Sequence, residues 1–405
     1  MRILFICINS PVDKSGAQQR SSHLLKAMAA VGEVTLVYPV AEGRAGPDQE
    51  VLSLICQRVF TFPYDSLARA RDSGLPRPLY WAKHKLRYLH PTRPALMQQF
   101  RSVEGEALVA KLCSQGFDLI WAMNILSMQM LPGSLRGRVI VDLDDLQQRK
   151  LRWQLRLGEI HHMTPLYWLE FLKFRRLERN LHTLPYEFGV CSEIDRKALG
   201  AGGHVWVIPN GADLPPRTLA PLQADPEPVL LFVGSMCYGP NIDAVGFFAR
   251  CVLPLIRQEI PDVKFLIVGR DPEASVWQLH NGTSVIVTGF VPEVVEYYRR
   301  AAAVVAPIRF GGGTRIKILE AMAHRKPVVS TGVGAEGLDV QSGKHLLLAD
   351  SPGDFAKACT RLLRDGSLRQ RLGEGGFQLV SERYQWAMIE RMVSNIVLGA
   401  ACPSS

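Results

Sequence analysis

The sequence predicts an α/β protein of two Rossmann-like domains, each built on a doubly wound parallel sheet. Three observations carry this prediction. Val304 to Leu338 reads as strand, glycine loop, helix, strand; Ile3 to Tyr38 reads as strand, loop, helix, strand; and a Pro-rich tract, Leu214 to Pro228, separates the two patterns. At 405 residues the chain is long enough for two such domains, each with its own core. The expected division is a first domain over 1–214, a linker over 215–228 stiffened by its prolines, a second domain over 229–382 and a terminal segment over 383–405.

In chain order, Ile3 to Ile8 is a continuous apolar run of the buried-strand type, and the residues from Asn9 to Gly16 form a polar loop. Arg20 to Val31 reads as a helix with Leu24, Leu25, Met28 and Ala29 on one face, and Val34 to Tyr38 as the next strand. The loop has no Gly-x-Gly-x-x-Gly, so a dinucleotide fingerprint is absent. The first residues lack the charged head, apolar middle and cleavage site of a secretory signal. No run approaches the roughly 18 apolar residues of a spanning helix, so a soluble or peripheral protein is expected. The eight cysteines are scattered without paired spacing, which argues for a reducing compartment and against a zinc site.

The net charge of +9 is uneven: up to Pro215 there are 27 Lys and Arg against 20 Asp and Glu, and beyond it 20 against 18. An anionic partner for the first half follows as an expectation. Two segments concentrate it. Leu67 to Arg101 interleaves Arg69, Arg71, Lys83, Lys85 and Arg87 with Leu79, Tyr80, Trp81 and Tyr88; Arg149 to His182 carries eight Lys and Arg among Trp153, Tyr167, Trp168, Phe171, Leu172 and Phe174. Such segments fit helices on an anionic bilayer and equally fit amphipathic helices that cover their own core. No recognised module points to nucleic acid.

Phe117 to Asn124 and Val139 to Asp145 read as strands whose ends carry Asn124, Asp142, Asp144 and Asp145. Carboxyl ends of strands are where open α/β sheets place ligands. The competing role for Asp144 or Asp145 is an N-cap on the following helix. In the second half, Val229 to Gly234, Val263 to Gly269 and Ser284 to Gly289 read as strands. Gly311, Gly312 and Gly313 then lead into a helical pattern with Ile316, Ile318, Leu319, Met322 and Ala323 apolar, and Pro327 stops it. Arg315 and Lys317 lie at its start, where the helix dipole alone would favour anions. Cations placed there suggest a bound polyanion such as a diphosphate. On a regular helix these two side chains diverge by about 200°, so only one faces that anion, and Arg315 suits two phosphate oxygens better.

The run Gly311-Gly-Gly-Thr-Arg-Ile-Lys-Ile-Leu-Glu-Ala-Met-Ala, followed by Lys326-Pro-Val-Val-Ser-Thr, resembles the donor-site signature of GT-B retaining glycosyltransferases of the group 1 family, family 4. The resemblance implies two Rossmann-like domains facing a central cleft, with the terminal helix crossing back to the first domain. It implies a nucleotide-sugar donor, UDP- or GDP-type, and a glycan, lipid-linked or small-molecule acceptor, in cell-surface polysaccharide or glycoconjugate synthesis. It implies ribose hydroxyls on Glu320 and diphosphate on the amides of Gly312, Gly313, Thr314, Arg315, Ile316 and Lys317. Gly234, Asn241, Gly289 and Phe290 would complete the donor side, with Phe290 against the base or, equally, in the core. Gly16, with Arg20 behind it, Asn124, Asp144 and Asp145 would face the acceptor. Pro209-Asn210-Gly211 resembles the family's domain junction.

The chain departs from that pattern at three places. A second Glu of the family, eight positions before Glu320, is Gly312; the usual Arg and Lys after the first donor-domain strand are Ser235 and Asn241; and a common His at the end of the strand matching Ile120 to Asn124 is absent. Arg315 and Lys317 are expected to supply the missing charge and, with Asp144, the catalytic set. Neither cofactor nor metal is expected, since fixed amides and cations can stabilise the leaving diphosphate. Two other readings stay open: a GT-B sugar-nucleotide epimerase, and a non-catalytic peripheral membrane protein that binds nucleotide sugars.

Overall fold

A computed structural model describes residues 1–12, 16–40, 49–63, 86–156, 164–200, 204–215 and 227–399. Most of the first basic segment and of the expected linker therefore lies outside the described residues. The chain forms two compact units, Met1–Pro209 with Ile389–Ser405, and Asn210–Met388.

Among the described residues the first unit holds seven strands: β1 (Arg2–Ile6), β2 (Glu33–Val40), β3 (Arg58–Pro63), β4 (Leu119–Met123), β5 (Arg138–Asp142), β6 (Glu187–Val190) and β7 (Val205–Val207). Their order is β3-β2-β1-β4-β5-β6-β7, and every neighbouring pair is parallel. Strands covered on both faces need apolar residues at every position, which is why Ile3 to Ile6 and Leu119 to Met123 read as unbroken runs. Leu4, Ile6, Val37, Ile120, Val141 and Phe188 meet in one core beneath the helices.

The second unit repeats the plan with β8 (Val229–Val233), β9 (Lys264–Val268), β10 (Val285–Gly289), β11 (Ala303–Ala306), β12 (Val328–Ser330) and β13 (Leu347–Leu348). The order is β10-β9-β8-β11-β12-β13, again parallel throughout. Alternate residues go to opposite faces, as the pleat requires. Leu230, Phe232, Phe265 and Val305 enter one core, where Phe248 stacks 4.4 Å from Phe265; Val229, Leu231, Leu266 and Val304 enter the other.

The junction differs from the expected 214/215. Ala212 is buried in the second unit, donates its N–H to the Tyr384 carbonyl at 2.8 Å and accepts from the Trp386 amide, so the chain joins that unit at Asn210. The terminal helix Trp386–Val397 passes from one unit to the other, with residues from Ile389 onward in the first. There Ile389, Val393 and Ile396 are buried, Glu390 meets His23 at 2.6 Å, and the Ser394 hydroxyl donates to the Ala27 carbonyl.

Candidate active site

In the second unit the strand order reverses beside β8, which has β9 on one flank and β11 on the other. Loops leaving neighbouring strands at such a point part and leave a crevice at their carboxyl ends. Gly234 follows β8 there, and Gly311 to Gly313 follow β11. Two groups converge at Gly234: a Cβ added to it would lie 2.7 Å from the Asn241 amide nitrogen and 2.9 Å from the Lys317 ammonium. Asn241, in the first turn of helix Gly239–Phe247, donates to the Ser235 carbonyl at 2.8 Å and accepts from Lys317 Nζ at 2.5 Å. The Lys317 ammonium also stands 4.0 Å from the centroid of the Phe232 ring. Phe232 was not legible as part of the site, because an apolar strand residue reads as core.

Gly311 (φ 136°) and Gly313 (φ 65°) adopt backbone angles that side-chain-bearing residues avoid, which is how the loop turns into the helix Ile316–Ala323. That helix begins at Ile316. Arg315 is its N-cap with extended backbone, φ −87° and ψ 95°, so the expected 200° divergence of Arg315 and Lys317 on one helix does not apply. Arg315 curls back and donates to the carbonyls of Gly312 and Gly313. Its Nη2 and the Thr314 hydroxyl are buried with no hydrogen-bond partner, and no side chain caps the helix. Unpaired buried donors at an uncapped helix start are the chemistry of an anion site.

Glu320 is half-buried one turn further along. Gly289 (φ 71°) closes β10, and the Phe290 ring after it is 69% exposed, which removes the core role that the sequence left open for it.

In the first unit the equivalent reversal lies between β1 and β4. Asn124, at the end of β4, and Asp144, just past β5, are both left-handed, at φ 74° and 60°. Gly16 opens the helix Gly16–Ala29. Arg20 is fully buried: it grips Asp142 at 2.9 and 3.0 Å and donates to the Ile208 carbonyl at 2.9 Å. The expectation that Arg20 faces an acceptor is therefore corrected; it braces the strand ends from inside. Asp144 accepts from the Cys191 thiol at 3.0 Å. Asp145 accepts from the Gln147 side-chain amide. The backbone amides of Gln147 and Gln148, at the start of helix Gln147–Arg156, are instead capped by Glu178, whose carboxyl burial pushes up to about 8.

Residues 227–365 match the family described as Glycosyl transferases group 1. Those residues include every group of the second unit's crevice described above. The sucrose-phosphate synthase of Thermosynechococcus elongatus is 21% identical, with a TM-score of 0.69 over 98% of each chain. Anabaena HepE in complex with UDP-glucose is 18% identical, with a TM-score of 0.60 over 98% of this chain and 100% of that one. These likenesses identify the fold as GT-B. An uncharacterised 44.6 kDa protein in the cps region of Klebsiella pneumoniae is 26% identical over 163 residues, 38% of this chain. The match spans 42% of that relative's length.

In the second unit burial first, and Arg315 second, push the Lys317 ammonium down to about 7, against the opposing pull of Glu320. Lys317 thus changes charge near neutrality. A diphosphate diester such as a nucleotide sugar has no phosphate group titrating there and attracts the charged form, so binding takes up a proton as pH rises above 7. Calorimetry from about pH 6 to about pH 9 should show affinity falling with pH, by up to about tenfold per unit. Lys317→Met should bind more weakly and lose the slope; a slope that survives the substitution would exclude Lys317 as its source.

Proposed function

We propose that the protein transfers a sugar, with retention, from a UDP- or GDP-type donor to a glycan, lipid-linked or small-molecule acceptor bound by the first unit. The observation that carries this is the convergence of Lys317, Asn241 and Gly234 beside the glycine loop, where the strand order reverses. The UDP-glucose complex of a protein of the same fold supports the donor class, and the cps-region relative supports a role in cell-surface polysaccharide or glycoconjugate synthesis. In this reading the diphosphate lies between the Lys317 ammonium and the helix start, and Glu320 accepts from the ribose hydroxyls. The bond from the anomeric carbon to the diphosphate breaks, the electron pair leaves with the diphosphate, and the acceptor hydroxyl attacks the same face, its proton passing to the departing diphosphate oxygen. Charge growing on the leaving group meets donors fixed in advance, which is the largest source of rate in such sites. Asp144 is the carboxylate we assign to the acceptor.

Glu320→Ala should remove a charge-assisted hydrogen bond worth about 1.5–3 kcal/mol and weaken nucleotide binding about 10- to 100-fold. An unchanged dissociation constant would sink the ribose assignment.

The two cations should differ in steady-state kinetics. Lys317 reaches the crevice, while Arg315 is partly engaged with loop carbonyls. Lys317→Met should lower turnover about 100-fold, the loss seen when one preorganised donor is removed, and Arg315→Ala should cost less. The reverse ranking would place the phosphates against the loop rather than at Gly234.

We also propose that the first unit rests on an anionic membrane surface. The helix Thr164–Arg179 buries Glu170, Lys173 and Glu178 and turns Trp168 and Leu172, 52% and 53% exposed, outward beside Arg176 and Arg179. Beside it, the exposed Leu86 and Leu89 flank the turn Arg87–Leu89, whose Tyr88 carbonyl accepts from Lys173 Nζ at 2.6 Å. Apolar rings with arginines at one edge are the composition of an interfacial helix. Sedimentation with anionic vesicles should weaken as salt rises, and Trp168→Ser with Leu172→Ser should weaken it further. Equal partition to neutral and anionic vesicles would end the proposal.

A further inference from the structure

Tyr298 is the one buried residue of the helix Val295–Arg300, which links β10 to β11. Its ring is enclosed and lies flat on His324, with centroids 4.6 Å apart and planes 14° apart. His324 follows Glu320 by one helical turn and donates its backbone N–H to the Glu320 carbonyl at 3.1 Å. Residues four apart share a face, so the tyrosine lies along the face that carries Glu320. Its position is firmly held: Lys326 Nζ donates to the carbonyls of Arg299 and Ala301, on either side of the helix end, at 3.1 and 2.9 Å.

The Tyr298 hydroxyl nevertheless has no hydrogen-bond partner among the described residues. Buried polar groups left unpaired are rare and call for a specific account. Repacking cannot supply the partner, because the ring is pinned by the stack and the helix by Lys326. His324 does not supply it, since the two rings lie flat on each other and the imidazole nitrogens accept only in the plane of their own ring. Burial first, and the negative charge of Glu320 second, push the phenol well up, so it remains a donor. The group able to turn toward it is the half-buried Glu320 carboxylate.

We propose that Tyr298 is a positioning residue whose hydroxyl donates to Glu320 when a nucleotide binds, fixing the carboxylate so that its other oxygen accepts from the ribose. This rests on the reading of Glu320 as the ribose ligand. The bound state would satisfy a donor that the empty protein leaves idle, so ribose recognition would be coupled to a group that never touches the ligand.

The test is calorimetry on the full chain with whichever of UDP and GDP binds more tightly, and with its 2′,3′-dideoxy form, which lacks the ribose hydroxyls. Tyr298→Phe should weaken binding of the ribonucleotide roughly 3- to 10-fold and change that of the dideoxy form by less than about twofold. Its melting midpoint should be equal to or above the parent's, because an unpaired hydroxyl has been removed from the interior. In a Glu320→Ala background the same substitution should have no further effect. Equal loss for both ligands, a lowered midpoint, additive loss in the double variant, or no loss at all would each overturn the proposal. If Glu320→Ala itself leaves ribonucleotide binding unchanged, or if neither nucleotide binds, the ribose reading fails and the inference fails with it.

Discussion

Lys317 holds its ammonium between an amide oxygen at 2.5 Å and an aromatic face at 4.0 Å. Neither partner is a full negative charge. A cation enclosed in this way loses hydration without gaining a carboxylate in return, so its pKa falls instead. The rest of the crevice follows from tolerating that ammonium. Gly234 has no side chain because any Cβ would strike both the ammonium and its amide partner. Asn241 is turned by its bond to the Ser235 carbonyl so that its oxygen, not its nitrogen, meets the lysine. The arrangement is complete only when an anion arrives, which is the property a diphosphate site needs.

The first unit handles charge differently, pairing it inside. Arg20 and Asp142 are both fully buried and bonded through two contacts, with the fork also holding the carbonyl before the domain junction. Removing either partner would leave the other charged and unsolvated, which costs far more than the pair contributes. The helix Thr164–Arg179 extends the same logic. Glu170 takes the Ala95 amide, Lys173 takes the Tyr88 carbonyl, and Glu178 caps the helix Gln147–Arg156. These polar groups share the inward face with Phe174, while Trp168 and Leu172 lie on the outward one.

This arrangement shows where sequence reading stops. Continuous apolar runs such as Ile3 to Ile6 and Val229 to Phe232 announced parallel strands, and the glycine loop announced the crevice. Both are local signals. Charge pairing across distance is not local: nothing near Gln147 names Glu178 as its cap, so the nearby Asp145 looked the better candidate. β6 was overlooked for a related reason. It opens on Glu187, which belongs in a strand only because Arg138 and the Trp206 ring N–H meet it from neighbouring strands. The start of the helix Ile316–Ala323 was misplaced by one residue. Arg315 has good helix propensity, but its side chain holds the loop carbonyls behind it, and that contact draws its backbone into the extended region.

The two strand-order reversals also differ in how they manage left-handed backbone. In the second unit the glycine loop and the end of β10 use Gly289, Gly311 and Gly313, which take the conformation at little cost and let backbone approach closely, and Asp271 (φ 51°) takes it past β9. In the first unit the ends of β4 and β5 use Asn124 and Asp144, which take it at the expense of strain. A chain that needed only a turn at those strand ends would do better with glycine. Keeping a carboxylate and an amide there, and bracing the strand end with Arg20 and the Cys191 thiol, makes sense where the side chains themselves are required. In the proposed reaction phosphate oxygens would be met by amides and a buried cation, and side chains would be needed out of the way there. Hydroxyl groups of the proposed acceptor would need acceptors and donors of their own, and the pair at the ends of β4 and β5 carries both.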